Sequence, residues 1–340
     1  MTRRRCCLAE HATGWWVASD GSGQLTTHFR DQIADSELGD GPVTIDVHYS
    51  ALNYKDALAL TGSPGVVRRP PLIPGIDCSG IVSASSDPSL PVGTEVVITG
   101  FGYGENRHGG LATRVVAEPE HVMAIPPDLS LRDAAIIGTA GVTAALAMRA
   151  LENLGITADS AELPIAVTGA AGGVGSLALS LLAHAGFTPV AITGRTDEAE
   201  YLTSLGATDV LSRQEFLAQP KRPLLHERFA GAIDQAGGEM LATLIASTQA
   251  DGVVASCGLA AGSDLPTTVL PFILRGVSLV GINSVFQSLE IREEIWNLFA
   301  TAKLPLDAIA HEIALEDALD VAPRVLAGLT RGRVVVSVQD

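Results

Sequence analysis

From Val43 to Tyr49 apolar and polar side chains alternate, with Val43, Ile45 and Val47 set against Thr44, Asp46 and His48. That is the period-two pattern of a strand with one buried face. Val92–Ile98 reads as a second strand entered through a turn, and Pro70-Pro71 and Pro74-Gly75 punctuate the stretch between. Residues up to about Leu129 therefore predict a mostly-β region. The rhythm changes at Leu131, where an apolar, alanine-rich run at helical spacing continues to Leu154 and Gly155 offers a stop. Strands and helices then alternate. Pro164–Thr168, Pro189–Thr193, Ala230–Asp234, Gly252–Ser256 and Leu279–Ile282 read as buried strands. Gly173–His184, Asp197–Leu205, Glu239–Gln249 and Glu290–Ala300 read as helices. Such alternation predicts an α/β domain with a parallel, doubly wound sheet. A helix over Ala318–Leu329 and a strand over Arg333–Val338, separated by glycines, predict that the C-terminus rejoins the first region. The expected domains are 1–130, completed by 303–340, and 131–302.

Composition narrows the partners. The 340 residues are 47% apolar and 18% charged, which excludes a disordered chain, a coiled coil and a collagen-like fibre. Thirty-eight acids against 22 bases leave a net charge of −16, so a general nucleic-acid face is not expected. Cys6, Cys7, Cys78 and Cys257 have no disulfide-framework spacing, and Cys78 and Cys257 read as buried structural thiols. The opening Met1–Cys7 is basic, but no apolar stretch follows it as in a secretory signal. The uncharged run Leu163–Gly194 has the length of a bilayer span, but seven glycines and prolines break it into strand, turn, helix and strand. A cytoplasmic protein with no membrane partner is expected.

The turn Thr168-Gly169-Ala170-Ala171-Gly172-Gly173-Val174-Gly175 lies between a predicted strand and a predicted helix. Glycines there let backbone approach a pyrophosphate whose charge rests on helix N-terminal amides. Gly172 and Gly175 take the second and third places of the dinucleotide fingerprint, and Ala170 replaces the first glycine; a plain strand-to-helix corner is the alternative. At the end of the next strand an NAD enzyme places an acid on the ribose. Here Thr193-Gly194-Arg195 has an arginine, suited to a 2′-phosphate, unless Arg195 is a solvated partner of Asp197 or Glu198. The expected cofactor is NADPH. Zinc ligands at fixed spacing, a nucleophile elbow and a P-loop lysine do not occur, so metal is not expected.

Several blocks stand in an order that resembles one family: Leu52-Asn53-Tyr54-Lys55-Asp56, Pro74-Gly75-Ile76-Asp77, Gly104-Glu105-Asn106 with Gly109-Gly110-Leu111, and Ile137–Gly141. They continue with Thr168–Ser176, Tyr201–Ala207, Cys257–Ala260 and Pro271–Gly276. Over about Val43–Val338 the chain resembles the acryloyl-coenzyme A reductases, zinc-free quinone-oxidoreductase-like members of the medium-chain dehydrogenase/reductase superfamily. The resemblance implies a GroES-like mostly-β catalytic domain and a Rossmann nucleotide-binding domain. It also implies NADPH as reductant, an α,β-unsaturated acyl thioester as acceptor, and a homodimer joined through nucleotide-domain sheets. The chain departs from the family in its first 40 or so residues, in Arg107-His108 where the family shows His-Trp, and in Asn283 where an aspartate is common.

By resemblance Tyr54, Ala171, Gly172, Gly173, Val174, Thr193, Gly194, Arg195, Arg213, Leu259, Ile273, Ser284 and Arg333 line the NADPH site. Arg195 and Arg213 suit the 2′-phosphate, and the turn suits the pyrophosphate. Leu259 and Ile273 suit apolar contact near the nicotinamide, against the ordinary alternative of core positions. Arg333 has a solvated arginine as its alternative. For the chemistry, Asn53 offers a hydrogen bond and Tyr54 a phenol at the thioester oxygen, where charge develops. Asn53 also suits a turn-stabilising role. Asp77, in the place of a zinc ligand pair, is a third catalytic candidate, with pairing to Lys55 or ordering of the cleft as the structural alternative. Arg68 and Arg69 suit coenzyme A phosphates or plain surface charge. The expected reaction is NADPH-dependent reduction of acryloyl-CoA to propanoyl-CoA; quinone or enone reduction, and NADPH binding without catalysis, are the alternatives.

Overall fold

The computed structural model describes residues 11–339, so Cys6, Cys7 and the opening basic segment lie outside the described residues. The chain forms two compact units: one runs to Gly138 and includes Glu312–Leu329 and the residues from Val334, and the other holds Thr139–His311 and Thr330–Arg333.

In the first unit β1 (His11–Ser19) and β2 (Leu25–Ala34) make an antiparallel hairpin. Strand β3 (Val43–Leu52) carries the alternation: Val43, Ile45 and Val47 are fully buried while Thr44, Asp46 and His48 are half-buried. Helix α1 (Tyr54–Leu60) follows at once, then β4 (Asp77–Ser85), β5 (Glu95–Thr99), β6 (Arg114–Ala117) and β7 (Met123–Ala124). The expected strand at Val92 begins only at Glu95, because Pro91–Thr94 closes a turn with Gly93 at φ 94°. Helix α2 (Leu131–Asn153) is interrupted at Gly138, whose φ of 44° and ψ of −156° correct the expectation of one unbroken helix. A side chain at that backbone conformation is strained, so glycine permits the kink.

The second unit contains β8 (Ile165–Thr168), α3 (Gly173–His184), β9 (Pro189–Thr193), α4 (Ala199–Ser204), β10 (Asp209–Ser212) and α5 (Arg213–Leu217). It continues with β11 (Phe229–Asp234), α6 (Gly238–Ser247), β12 (Thr248–Ser256), α7 (Leu270–Arg275), β13 (Ser278–Gly281), α8 (Leu289–Ala302) and α9 (Leu306–Ile309). The helix expected over Asp197–Leu205 opens instead with a 3-10 turn, Thr196–Glu198. All six strands are parallel, in the order β10-β9-β8-β11-β12-β13. This is the Rossmann order, with the chain reversing direction of travel between β8 and β11. Both faces are covered, so β8 and β9 are buried throughout and read as nearly continuous apolar runs.

The chain ends with β14 (Ala310–Ala314), α10 (Ala318–Leu326) and β15 (Arg333–Ser337). Strand β15 pairs antiparallel with β3, extending a sheet of order β14-β15-β3-β4-β5-β7 with β6 also on β3. The expected helix to Leu329 stops at Leu326, ahead of Gly328 at φ 67°. Helix α2 is the one span of length and apolarity sufficient to cross a bilayer among the described residues, and 78% of its apolar window is buried in the structure.

Candidate active site

Strand β8 ends at the reversal point, and the turn after it is welded to β11. Thr168 Oγ1 donates to Asp234 Oδ1 at 2.7 Å, Gln235 N donates to Thr168 Oγ1 at 3.0 Å, and Gln235 Nε2 donates to Thr168 O at 2.8 Å. Burial raises the Asp234 carboxyl above the ordinary range, partly offset by the Thr168 hydroxyl and the Gly237 amide at 2.8 Å. Gly169 has φ 54°, Gly172 caps α3, and the first amides of α3, from Gly173 and Val174, have no preceding helical carbonyl to bond. Packing here tolerates nothing larger than hydrogen: a Cβ on Gly175 would sit 2.5 Å from Gly169 O and 2.6 Å from Ala170 Cα. Ala171 O accepts from Gly332 N at 2.9 Å and from Arg195 Nη2 at 2.9 Å, tying the turn to both later segments.

Two arginines meet at the end of β9. Thr193 Oγ1 accepts from Arg195 N at 3.0 Å, and the Arg213 guanidinium lies over Gly194, where a Cβ would meet its Cζ at 3.0 Å. Among the described residues no carboxylate forms an ion pair with Arg213. Glu198 faces Arg195 at 3.9 Å and Arg331 at 3.3 Å. The solvated-partner reading of Arg195 thus has a counterpart in Glu198, and the guanidinium also bonds the turn. Tyr201, which donates to Ser176 Oγ at 2.8 Å and lies under the Arg331 guanidinium at 4.8 Å, completes this corner. Sequence reading missed Glu198, Tyr201 and Arg331 as a group, because Arg331 lies 130 or so residues further along the chain.

Leu259 and Ile273, whose ordinary alternative was core, are 62% and 68% exposed. Neither is therefore a core position. The solvated alternative for Arg333 does not hold either: it is 3% exposed, with its Cδ packed against Gly173. Ser284 lies with its hydroxyl 2.9 Å from that of Thr143, and Arg292 Nη2 donates to its carbonyl at 2.8 Å. Asn283 Oδ1 accepts from Val285 N at 3.0 Å, a bond that an aspartate at that place would also make.

In the first unit the Asn53–Asp56 block starts α1. Asp56 Oδ2 accepts from Asn53 N and Asn53 Nδ2, both at 2.9 Å, and its Oδ1 accepts from Ile76 N at 2.8 Å. Asn53 Nδ2 also donates to Asp77 Oδ2 at 2.9 Å. One amide therefore bridges two buried carboxylates. Both of its N–H groups have acceptors inside the protein, which corrects the expectation of a donor turned to the acceptor molecule and matches the turn-stabilising alternative. Burial and the Asp77 charge push Asp56 up to about 6. Lys55 Nζ reaches Glu105 Oε1 at 2.7 Å, so its partner is Glu105 rather than Asp77. Tyr54 is the first residue of α1 and 43% exposed; among the described residues no hydrogen bond reaches its hydroxyl. His108, one of the departing residues, stacks on Trp16 at 5.5 Å and accepts from Ile73 N at 3.1 Å through Nδ1, so it serves the packing of the β1–β2 hairpin.

Residues 39–127 match the alcohol dehydrogenase GroES-like domain family, and residues 173–321 match the zinc-binding dehydrogenase family. The chain is 47% identical over 309 residues to the probable acrylyl-CoA reductase AcuI of Escherichia coli (strain K12), covering 90% of this chain and 94% of that one. It is 44% identical over 310 residues to the acrylyl-CoA reductase AcuI of Ruegeria pomeroyi, covering 90% and 93%. The crystal structure of the yhdH oxidoreductase from Salmonella enterica in complex with NADP matches with a TM-score of 0.91 at 44% identity, covering 96% of this chain and 100% of that one. A GroES-like antiparallel domain joined in one chain to a six-stranded Rossmann sheet defines a medium-chain dehydrogenase/reductase. Within that superfamily the chain belongs to the acrylyl-CoA reductase family. Zinc does not fit these residues: among the described ones no three His, Cys, Asp or Glu side chains converge. Burial pushes the Cys78 and Cys257 thiols up to about 12; Cys78 is buried and Cys257 half-buried.

Proposed function

We propose that the protein is an NADPH-dependent oxidoreductase that reduces the carbon–carbon double bond of acryloyl-CoA to give propanoyl-CoA. The observation that carries the cofactor choice is the pair of guanidinium groups at the end of β9, Arg195 bonded to the glycine turn and Arg213 over Gly194, where an NAD site places an acid. The acceptor choice rests on the 47% and 44% identity to acrylyl-CoA reductases over nearly the whole length of each.

The nucleotide-binding domain is taken as 131–302, and the catalytic domain as 1–130 completed by 303–340. NADPH, when bound, supplies a hydride equivalent for the β-carbon of the acyl group. The residues of this chain do the rest. Gly173 and Val174 offer amides to the pyrophosphate, with Ala171 and Gly172 shaping the turn and Arg333 buried against it. Thr193, Gly194, Arg195 and Arg213 would hold the 2′-phosphate end, and Leu259, Ile273 and Ser284 would contact the nicotinamide end. The Tyr54 hydroxyl stabilises negative charge on the thioester oxygen. Asn53 acts through Tyr54, because its amide clamps Asp56 and Asp77 and so fixes the start of α1. A solvent-derived proton completes the α-carbon, which balances the two-electron reduction.

A homodimer fits the free edge of β13 and the exposed Val269, Leu274 and Phe286 of the same unit, and a cytoplasmic setting fits a nicotinamide-dependent reductase. Purified protein is mixed with NADPH and, in turn, acryloyl-CoA, crotonyl-CoA and a benzoquinone. Rapid NADPH loss with acryloyl-CoA is expected. Loss with the quinone alone overturns the proposal in favour of a quinone reductase, and no loss with any acceptor leaves NADPH binding without catalysis.

A further inference from the structure

Beside α1 two loops bring basic residues to a single carboxylate. The backbone amide of Arg68 donates to Glu105 O at 2.9 Å, joining the 66–69 segment to the 102–107 turn. That turn is closed by Gly104 N on Arg107 O at 2.8 Å. At the junction the Glu105 carboxylate, only 10% exposed, takes the Lys55 ammonium at 2.7 Å and leaves Arg68 at 3.9 Å with 63% of its side chain open. Arg69 and Arg107 are exposed, and neither forms an ion pair among the described residues. Lys55 and Arg68 thus share one carboxylate, with Arg69 next to Arg68 and Arg107 close to Glu105 along the chain, in a protein of 38 acids and 22 bases. With carboxylates in such excess, an ordinary solvated surface has acids to intersperse among its arginines. An assembly that leaves three guanidinium groups open on two backbone-joined loops is organised for an external anion.

We propose that Arg68, Arg69 and Arg107 receive the phosphates of the nucleotide handle of the acyl thioester, with Lys55 neutralising Glu105 beneath them. The ligand class is an adenosine 3′-phosphate joined through its 5′-pyrophosphate to a thiol arm. Planar forked guanidinium groups bond phosphate oxygens two at a time, which lysine does not. The dinucleotide's own phosphates already have the glycine turn and the Arg195–Arg213 pair. The patch instead adjoins Tyr54, the residue assigned to the thioester oxygen, through its neighbour Lys55. This inference rests on the acyl-CoA reading of the acceptor.

The test compares wild type with an R68Q/R69Q double variant and with R107Q, using acryloyl-CoA and acryloyl-pantetheine, which carries the same thioester without phosphates. The expected result is a rise of about tenfold or more in KM for acryloyl-CoA in R68Q/R69Q, a smaller rise in R107Q, and kcat held within about twofold. KM values for acryloyl-pantetheine and for NADPH stay unchanged, and the wild-type preference for the phosphorylated substrate falls with added salt. A KM rise shared by both thioesters, or by neither, overturns the proposal. If wild type reduces neither thioester, the proposed function fails on its own account. Calorimetric titration with coenzyme A and with adenosine 3′,5′-bisphosphate still decides the patch: binding lost in R68Q/R69Q supports it, and absence of binding to wild type overturns it.

Discussion

Arg195→Ala separates the two nicotinamide cofactors. The Arg195 guanidinium bonds Ala171 O at 2.9 Å and faces Glu198 at 3.9 Å, with about a quarter of the side chain open to solvent. A hydrogen bond to a charged group contributes about 1.5–3 kcal/mol, equivalent to roughly 10–150-fold in affinity. Partial exposure and the remaining Arg213 reduce this, so the expected rise in KM for NADPH is about 10–50-fold. The turn itself stays in place, because Gly332 N still donates to Ala171 O at 2.9 Å. KM for NADH, which has no 2′-phosphate, is expected to change by less than about threefold. Initial rates at saturating acryloyl-CoA, read from nicotinamide absorbance with each cofactor, give both constants, and titration calorimetry with NADP+ and NAD+ checks them without turnover. Equal losses toward the two cofactors refute the assignment, since they place Arg195 in the support of the turn rather than at the phosphate.

Gly194→Ala puts a methyl 3.0 Å from Arg213 Cζ, and a flexible side chain gives way to it; a rise of about five- to tenfold in NADPH KM is expected, with thermal stability altered by less than about 1 kcal/mol in a melting assay. Tyr54→Phe keeps the ring and removes the donor, so kcat with acryloyl-CoA is expected to fall on the order of 100-fold while NADP+ affinity in calorimetry moves little. Asp56→Asn tests the buried carboxylate pair. Its folded-state value of about 6 lies above the unfolded 3.8, so its stabilising contribution is complete below about pH 4 and lost as pH rises through 6. The difference corresponds to about 3 kcal/mol. Melting curves of wild type and D56N from pH 4 to 8 should therefore show wild type losing ground as pH rises, and a pH-independent gap between them contradicts the assignment.

Periodicity alone placed β3, β9 and α3, because each is decided by local alternation, a helix-spaced apolar face or a glycine at its end. The β1–β2 hairpin escaped that reading: its register shifts between Ala12 and Gly14, and the consecutive Trp15, Trp16 and Val17 spoil the period of two. The glycine turn was legible for a similar reason, since close backbone approach demands glycine at one place in the chain. Nothing in the chain order shows that Arg213 covers Gly194, that Lys55 takes Glu105 fifty residues away, or that one Asn53 amide spans Asp56 and Asp77. Leu259 and Ile273 look like any core position in the sequence, and only the folded chain leaves them open. Element type and cofactor class follow from short-range sterics and charge, which the linear sequence contains. Partner choice among side chains far apart in the chain follows from which surfaces packing brings together, and that was decided by the tertiary structure.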